Sequence, residues 1–293
     1  MMEEEYKKVR RAYEKYNEDG EYKKEEKVVK KIIERIEENK EEIKELLKIR
    51  KEKESYEKIK EAIEEEGKRK SEYKKEVNII KREDGFVRGK YQTSIGVIGV
   101  ESYEIIPSIR YMIRGIRNKN GIIISDIEYE EKDVKHLIQE IIREVLKEEG
   151  IDENIIEIIP YEECEYERLD KVITTYESKN KREKEKSNKL YIYIEDKELE
   201  EEARREYEKE RSKKEEVEIV EGKMEETVEK INEKESKGAV IYTKDAKKGY
   251  KFINIVRSRN VYVNATLENV IDKIEESKDE MLMTKNIMYE LKI

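Results

Sequence analysis

The alternation of apolar and polar positions changes character twice along the chain. Residues 3–67 are almost unbroken helix formers, and Val28, Val29, Ile32, Ile33 and Ile36, then Ile43, Leu46 and Leu47, recur at three- and four-residue steps. That spacing predicts packed helices, each with one buried stripe, because a coiled coil would hold its seam at seven-residue intervals. A turn is expected over 17–20, between the first two helices. After Ser71 the period shortens, and Val77-Asn78-Ile79-Ile80 and the run Ser94-Ile95-Gly96-Val97-Ile98-Gly99-Val100 read as short buried strands.

A helix over 107–117 follows, then Gly121-Ile122-Ile123-Ile124, an apolar run suited to a central parallel strand. The clearest helix has Val134, Leu137, Ile138, Ile141, Ile142, Val145 and Leu146 on one face and stops at Gly150. A short strand over 155–159 completes a strand-helix-strand-helix-strand series, which predicts a right-handed parallel α/β unit of the Rossmann type. Residues 176–189 are almost wholly polar and read as a mobile loop. Strands over 190–194, 217–220, 238–243 and 261–265 then alternate with helices over 199–209 and 224–231, and a terminal helix is expected over 267–276.

Charged residues make up 47% of the 293 positions, yet 65 basic and 74 acidic side chains are mixed along the chain and leave a net charge of −9. Such a surface exerts no general attraction on polyanions, so nucleic acid is not expected as a partner except within a larger assembly. One cysteine, Cys164, excludes an intramolecular disulfide, and no Cys/His cluster has zinc-site spacing. The first eleven residues lack the apolar core of a signal peptide, and no apolar run approaches membrane-spanning length, so a cytoplasmic protein is expected.

Six segments, in order, resemble glutamyl phosphate reductase, within the aldehyde dehydrogenase superfamily. They are Ile95-Gly96-Val97-Ile98-Gly99-Val100 with Pro107; Lys119-Asn120-Gly121-Ile122-Ile123-Ile124; and Tyr191-Ile192-Tyr193-Ile194-Glu195-Asp196 with the helix after it. Three more follow: Ala239-Val240-Ile241-Tyr242-Thr243; the most specific, Val261-Tyr262-Val263-Asn264-Ala265-Thr266; and residues 281–291. The resemblance implies an α/β aldehyde dehydrogenase-like fold. Residues 1–175 would form N-terminal helices and a Rossmann-like cofactor domain, 190–245 a reduced catalytic domain, and 246–293 a return to the first domain ending in an oligomerisation strand. It also implies NADPH as the family's cofactor.

Departures from the family pattern bear on chemistry. The helix after Tyr191–Ile194 runs almost directly into Val217-Glu218-Ile219-Val220, so the Cys-Asn-Ala segment that carries the family's nucleophile has no counterpart. Cys164 lies earlier, among Glu162, Glu163, Glu165 and Glu167, whose charge disfavours a thiolate. Ser108 stands where the family's Arg-Pro-Asn turn gives an asparagine to the oxyanion site. Ser125-Asp126 leads to Glu128, Glu130, Glu131 and Asp133, which oppose nucleotide phosphates, although an acidic helix start that complements the macrodipole explains them fully and is the favoured reading. His136, the only histidine, has no nearby companion and reads as structural, while Lys179, Lys181, Arg182, Lys184 and Lys186 read as a solvated loop.

These departures predict no catalytic, cofactor-binding or metal-binding residue, no bound cofactor, and a protein that is not a working enzyme. The surviving role would be self-assembly or capture of a protein partner through Met281, Leu282, Met283, Ile287, Met288, Tyr289 and Leu291. Two alternatives stand beside it: an active NADPH-dependent glutamyl phosphate reductase of proline biosynthesis, and an accessory factor bound to a large assembly such as the ribosome.

Overall fold

The computed structural model describes residues 2–18, 24–70, 81–83, 86–130, 133–175, 186–213, 216–232, 235–258, 260–265 and 282–290. The chain folds into two α/β units, one of residues 1–73 with 94–183 and the other of residues 74–93 with 184–293.

In the first unit, helices α1 (Met2–Glu18), α2 (Lys24–Glu38), α3 (Lys40–Arg50) and α4 (Tyr56–Lys68) precede a four-stranded parallel sheet. Its elements follow as β3 (Val97–Ser102), α5 (Ile105–Arg117), β4 (Gly121–Asp126), α6 (Val134–Glu148), β5 (Ile156–Pro160) and β6 (Lys171–Thr174). The strand order is β5-β4-β3-β6. β4 is apolar on both faces because both are covered: Ile123 joins Val9 of α1, Val97, Ile159 and Leu169 in one cluster, while Ile122 fills the space beside Gly115 of α5. Each such isoleucine contributes about 2–3 kcal/mol on leaving water.

The stripe read from α2 is buried, with Val28, Val29, Ile32 and Ile36 all 2% exposed or less, and α2 packs on α4, α5 and α6. Charges bind these helices to the sheet unit as well. Glu66 of α4 is fully buried and holds Arg114 at 2.7 Å and Arg117 at 3.5 Å, both on α5. Glu25 of α2 pairs with Lys119 at 2.9 Å, both nearly inaccessible. Breaking one partner of such a pair leaves a buried charge uncompensated, so these contacts act as registration devices for the helical layer.

Gly96 explains why the run from Ser94 to Val100 is two strands and not one. With φ at +140° it turns the chain between a preceding strand that ends at Ser94 and β3, and a Cβ there would lie 1.9 Å from Asp170 Oδ2. That Asp170 carboxylate accepts the Val97 N–H at 2.7 Å and pairs with Arg10 of α1 at 2.7 Å, tying three segments together at the amino end of the sheet.

The second unit holds a seven-stranded sheet. Its elements are β1 (Lys81–Glu83), β2 (Phe86–Ser94, of which Ser94 belongs to the first unit), β7 (Lys186–Ile194), α7 (Glu200–Ser212), β8 (Val217–Val220), α8 (Met224–Asn232), β9 (Glu235–Tyr242), α9 (Ala246–Ile255), β10 (Asn260–Val263) and β11 (Leu282–Glu290). The strand order is β1-β2-β11-β10-β9-β7-β8. Alternating residues of β7, β9 and β10 divide between two cores. Tyr191, Tyr193, Ile241, Val261 and Val263 pack with α8 and α9, whereas Ile192, Val240, Tyr242 and Tyr262 pack with α7.

The domain boundaries expected from the sequence are corrected here. Residues 246–263 do not return to the first unit: α9 buries Phe252 in the second core, and β10 pairs in parallel with β9, Val261 opposite Ala239 and Val263 opposite Ile241. The expected strand over 77–80, the terminal helix over 267–276 and most of the loop over 176–189 lie outside the described residues, while 186–189 open β7.

Candidate functional site

In a parallel α/β sheet, ligands meet the carboxyl ends of the strands where chain progression reverses, because loops leaving two neighbouring strands there go to opposite sides. Each unit has one such point. In the first it falls between β3 and β6, since the chain steps outward from β3 to β4 to β5 and then returns to β3's other edge. In the second it falls between β7 and β9, flanked by β8 and β10.

At the first point, Glu101, the penultimate residue of β3, is almost inaccessible, and its carboxylate accepts the Thr174 hydroxyl at 2.9 Å. The Thr175 hydroxyl donates to the Glu101 carbonyl at 3.1 Å. Beside it Ser125 and Tyr166 share a hydroxyl–hydroxyl hydrogen bond of 2.8 Å, and burial pushes the Tyr166 phenol well up. Asp126, the last residue of β4, is fully buried and pairs with Lys135 of α6 at 2.6 Å. Burial raises the Asp126 carboxyl above its ordinary range even against that ammonium. Asp133 caps α6 by accepting the His136 N–H at 2.9 Å and meets His136 Nδ1 at the same distance. Burial opposes the charge of Asp133, but these His136 contacts outweigh it and hold the carboxyl below its usual value.

The acidic stretch after β4 thus separates into parts. Asp133 is a helix cap, Glu130 pairs with Arg50 at 2.6 Å, and Glu128 is exposed. His136 is structural, set edge-to-face on Tyr129 with ring centres 5.2 Å apart. The Ser108 hydroxyl is taken up inside α5, donating to the Glu104 carbonyl at 2.8 Å. Cys164 is half-buried and packs against the cluster that contains Val9 and Ile123.

Two side chains that sequence reasoning passed over face outward here. Tyr103 follows β3 and is 40% exposed, and Ile127 follows β4 and is 37% exposed. The two strand ends are paired, with Ser102 opposite Asp126 and the Ile127 N–H donating to the Ser102 carbonyl at 3.1 Å, so both residues project from one rim of the sheet. The available signal was an aromatic or branched apolar residue directly after a fully buried strand.

At the second reversal point, Asp196 after β7 accepts the Lys244 N–H at 2.5 Å and the Thr243 hydroxyl at 3.1 Å. The Lys244 backbone bond is the larger cause of a carboxyl held below its ordinary value. Asn264 explains the most specific of the sequence matches. Held at φ +51° after β10, it accepts the Thr243 N–H at 2.8 Å and donates to the Thr243 carbonyl at 2.7 Å, so its side-chain amide continues the ladder as the backbone turns away. Lys244 pairs with Glu198 and Lys248 with Glu195, which closes this point with its own charges.

Of the residues expected at an interface, Leu282, Met283, Ile287, Met288 and Tyr289 lie in β11, while Met281 and Leu291 fall outside the described residues. β11 is an internal strand, flanked by β2 and β10, with Ile287 opposite Val261 and packed against the second core. Among the described residues no group of side chains could hold a metal ion, and no helix is long and apolar enough to cross a membrane.

Two α/β units, one a parallel sheet in the order of a dinucleotide-binding domain, match the aldehyde dehydrogenase fold. Betaine aldehyde dehydrogenase from Staphylococcus aureus, solved in complex with NAD+, matches over 100% of this chain and 90% of its own, with TM-score 0.50 and 11% identity. Two solved gamma-glutamyl phosphate reductases are similar to the chain as well. The Thermotoga maritima enzyme matches over 98% of both chains with TM-score 0.52 and 17% identity. The Saccharomyces cerevisiae enzyme matches over 98% of this chain and 97% of its own, with TM-score 0.55 and 13% identity. No family model and no curated protein matches the sequence.

These correspondences correct two expectations. The three solved neighbours named above are enzymes matched over nine-tenths or more of their length, which overturns the reading of this chain as no enzyme. One of them is solved with NAD+ bound, so the expectation of no cofactor draws no support from these neighbours.

Proposed function

We propose that this chain is a nicotinamide-nucleotide-dependent oxidoreductase of the aldehyde dehydrogenase type, and that the rim formed by the ends of β3 and β4 takes the adenosine half of NAD(H) in preference to NADP(H). The observation that carries this reading is the pair Tyr103 and Ile127, two exposed large apolar side chains at the carboxyl edge of the parallel sheet where a base would find apolar contact.

The residues present fit a base and an unmodified ribose. Glu104, half-buried at the start of α5 with no side-chain cap bond, and exposed Glu128 provide acceptors for ribose hydroxyls. The same carboxylates would repel a 2′-phosphate. The NADPH-dependent reduction of glutamyl phosphate is therefore the less favoured member of the class. The 184–293 segment has no cysteine, so the chemistry proposed is direct hydride transfer from the reduced nucleotide to a carbonyl carbon, the resulting alkoxide taking a proton from solvent, rather than passage through a thioester. A bound nucleotide would supply that hydride.

Fluorescence titration with NADH and NADPH tests the reading, followed by nicotinamide absorbance with a panel of aldehydes and with glutamyl phosphate. NADH should bind at least about tenfold more tightly than NADPH, a difference of about 1.4 kcal/mol. Tyr103→Ala should weaken NADH without unfolding the protein. Equal or tighter NADPH binding would overturn the nucleotide preference, and failure of both to bind would overturn the function.

A further inference from the structure

Lys135 breaks the local rules of the helix that carries it. It is the second residue of α6, just after the Asp133 cap, and a cation there faces the positive end of the helix dipole. Its side chain is only 4% exposed, a burial that lysine seldom reaches unless paired. Departures of this kind concentrate where a residue serves something other than its own element.

The neighbours of the ammonium show what it serves. It pairs with Asp126, at the end of β4, at 2.6 Å and with Asp133 at 3.4 Å, and it donates to the Tyr103 carbonyl, just after β3, at 3.5 Å. Through its other oxygen the Asp126 carboxylate accepts the Glu128 N–H at 3.2 Å, which fixes the turn that carries Ile127. One atom of α6 thus reaches the ends of both strands. The helix cap does not need it, since Asp133 already accepts the His136 N–H. Nor is a buried ion pair a strong source of stability, because apolar residues of similar volume often serve as well.

We propose, resting on the assignment of this rim to NAD(H), that Lys135 is a positioning residue for nucleotide binding: its ammonium holds the ends of β3 and β4 at the spacing that brings Tyr103 and Ile127 to one base. Being buried, it acts on the nucleotide through those two side chains and not by contact.

The test variant is Asp126→Asn with Lys135→Met, which removes both charges together, leaves neither buried alone and keeps an acceptor for the Glu128 N–H. Two readouts on the full chain separate the positioning role from the nucleotide assignment. The first needs no nucleotide. The chain has no tryptophan, so Tyr103→Trp places a single indole on the rim, and Tyr111→Trp places one on α5 of the same unit at a half-buried position. In the double variant the acrylamide quenching constant should rise about twofold or more at position 103 and stay unchanged at position 111. The second is NADH titration with both tyrosines intact, where the double variant should bind about tenfold more weakly. Unchanged quenching at position 103, or equal increases at both positions, overturns the positioning role, because general loosening of the unit would move the two alike. NADH affinity within about threefold of the unaltered chain overturns it as well. Failure of the unaltered chain to bind NADH, with quenching raised at position 103 alone, overturns the assignment of the rim to NAD(H) but not the hold of Lys135 on it.

Discussion

Lys285 lies in β11 with 1% of its surface exposed, and its ammonium donates to the carbonyls of Ile253 at 2.5 Å and Val256 at 2.6 Å, at the carboxyl end of α9. The last carbonyls of a helix have no partner of their own and carry the negative end of its dipole, so a cation there is doubly favoured. Lys285→Met keeps the length and volume of the side chain and removes both bonds. Each bond from a charged donor contributes about 1.5–3 kcal/mol, and two carbonyls would stay buried without that partner. Removing the ammonium also relieves its desolvation cost, which offsets part of the loss. The net expectation is a loss of about 2–3 kcal/mol in the second unit, a fall in melting temperature of roughly 10 °C.

Urea and thermal unfolding followed by circular dichroism, at two protein concentrations, measure it. Because β11 is paired within its own chain, the loss should not depend on concentration. A midpoint that rises with concentration would show that the strand is completed by another chain, as mass action requires. An unchanged midpoint would refute the assignment of Lys285 as the clamp between β11 and α9.

Three further perturbations test other parts of the structure. Asp133→Asn keeps an N-cap acceptor but removes a carboxyl whose folded pKa is depressed. The wild-type contribution is present above the unfolded value of about 4 and disappears as pH falls through the lower folded value, so the variant should lose on the order of 1 kcal/mol at neutral pH and show a flatter stability profile in acid. Asn264→Ala should cost about 2–3 kcal/mol in chemical denaturation, because it removes two hydrogen bonds and places alanine at φ +51°, and Asn264→Gly should recover the backbone part only. Gly96→Ala should destabilise the first unit by more than about 2 kcal/mol, since the new methyl would displace Asp170 from Val97 and Arg10, and an unchanged urea midpoint would contradict that geometry.

The sequence by itself determined the elements whose apolar period is long and unmixed. The α2 stripe, the α6 face from Val134 to Leu146, the β4 run and the family likeness all followed from such local patterns, because periodicity records which face leaves water. It failed where an element is short or buries little. β6 has only Ile173 buried, and α9 opens Ala-Lys-Lys-Gly, with Gly249 packed so closely that a Cβ there would lie 3.0 Å from Val263. In neither case does the local pattern distinguish the element from a loop.

What tertiary structure decided is pairing. Which strands neighbour one another places the two reversal points, brings Tyr103 and Ile127 onto one rim, and puts β11 inside a sheet rather than at its edge. Pairing also determines which of many carboxylates lose their water: Glu66, Glu101 and Asp126 are buried, while Glu34, Glu64 and Glu128 are not. Neither outcome is written in local spacing, because the free energy of a strand edge or a buried charge depends on a partner supplied from a distant part of the chain.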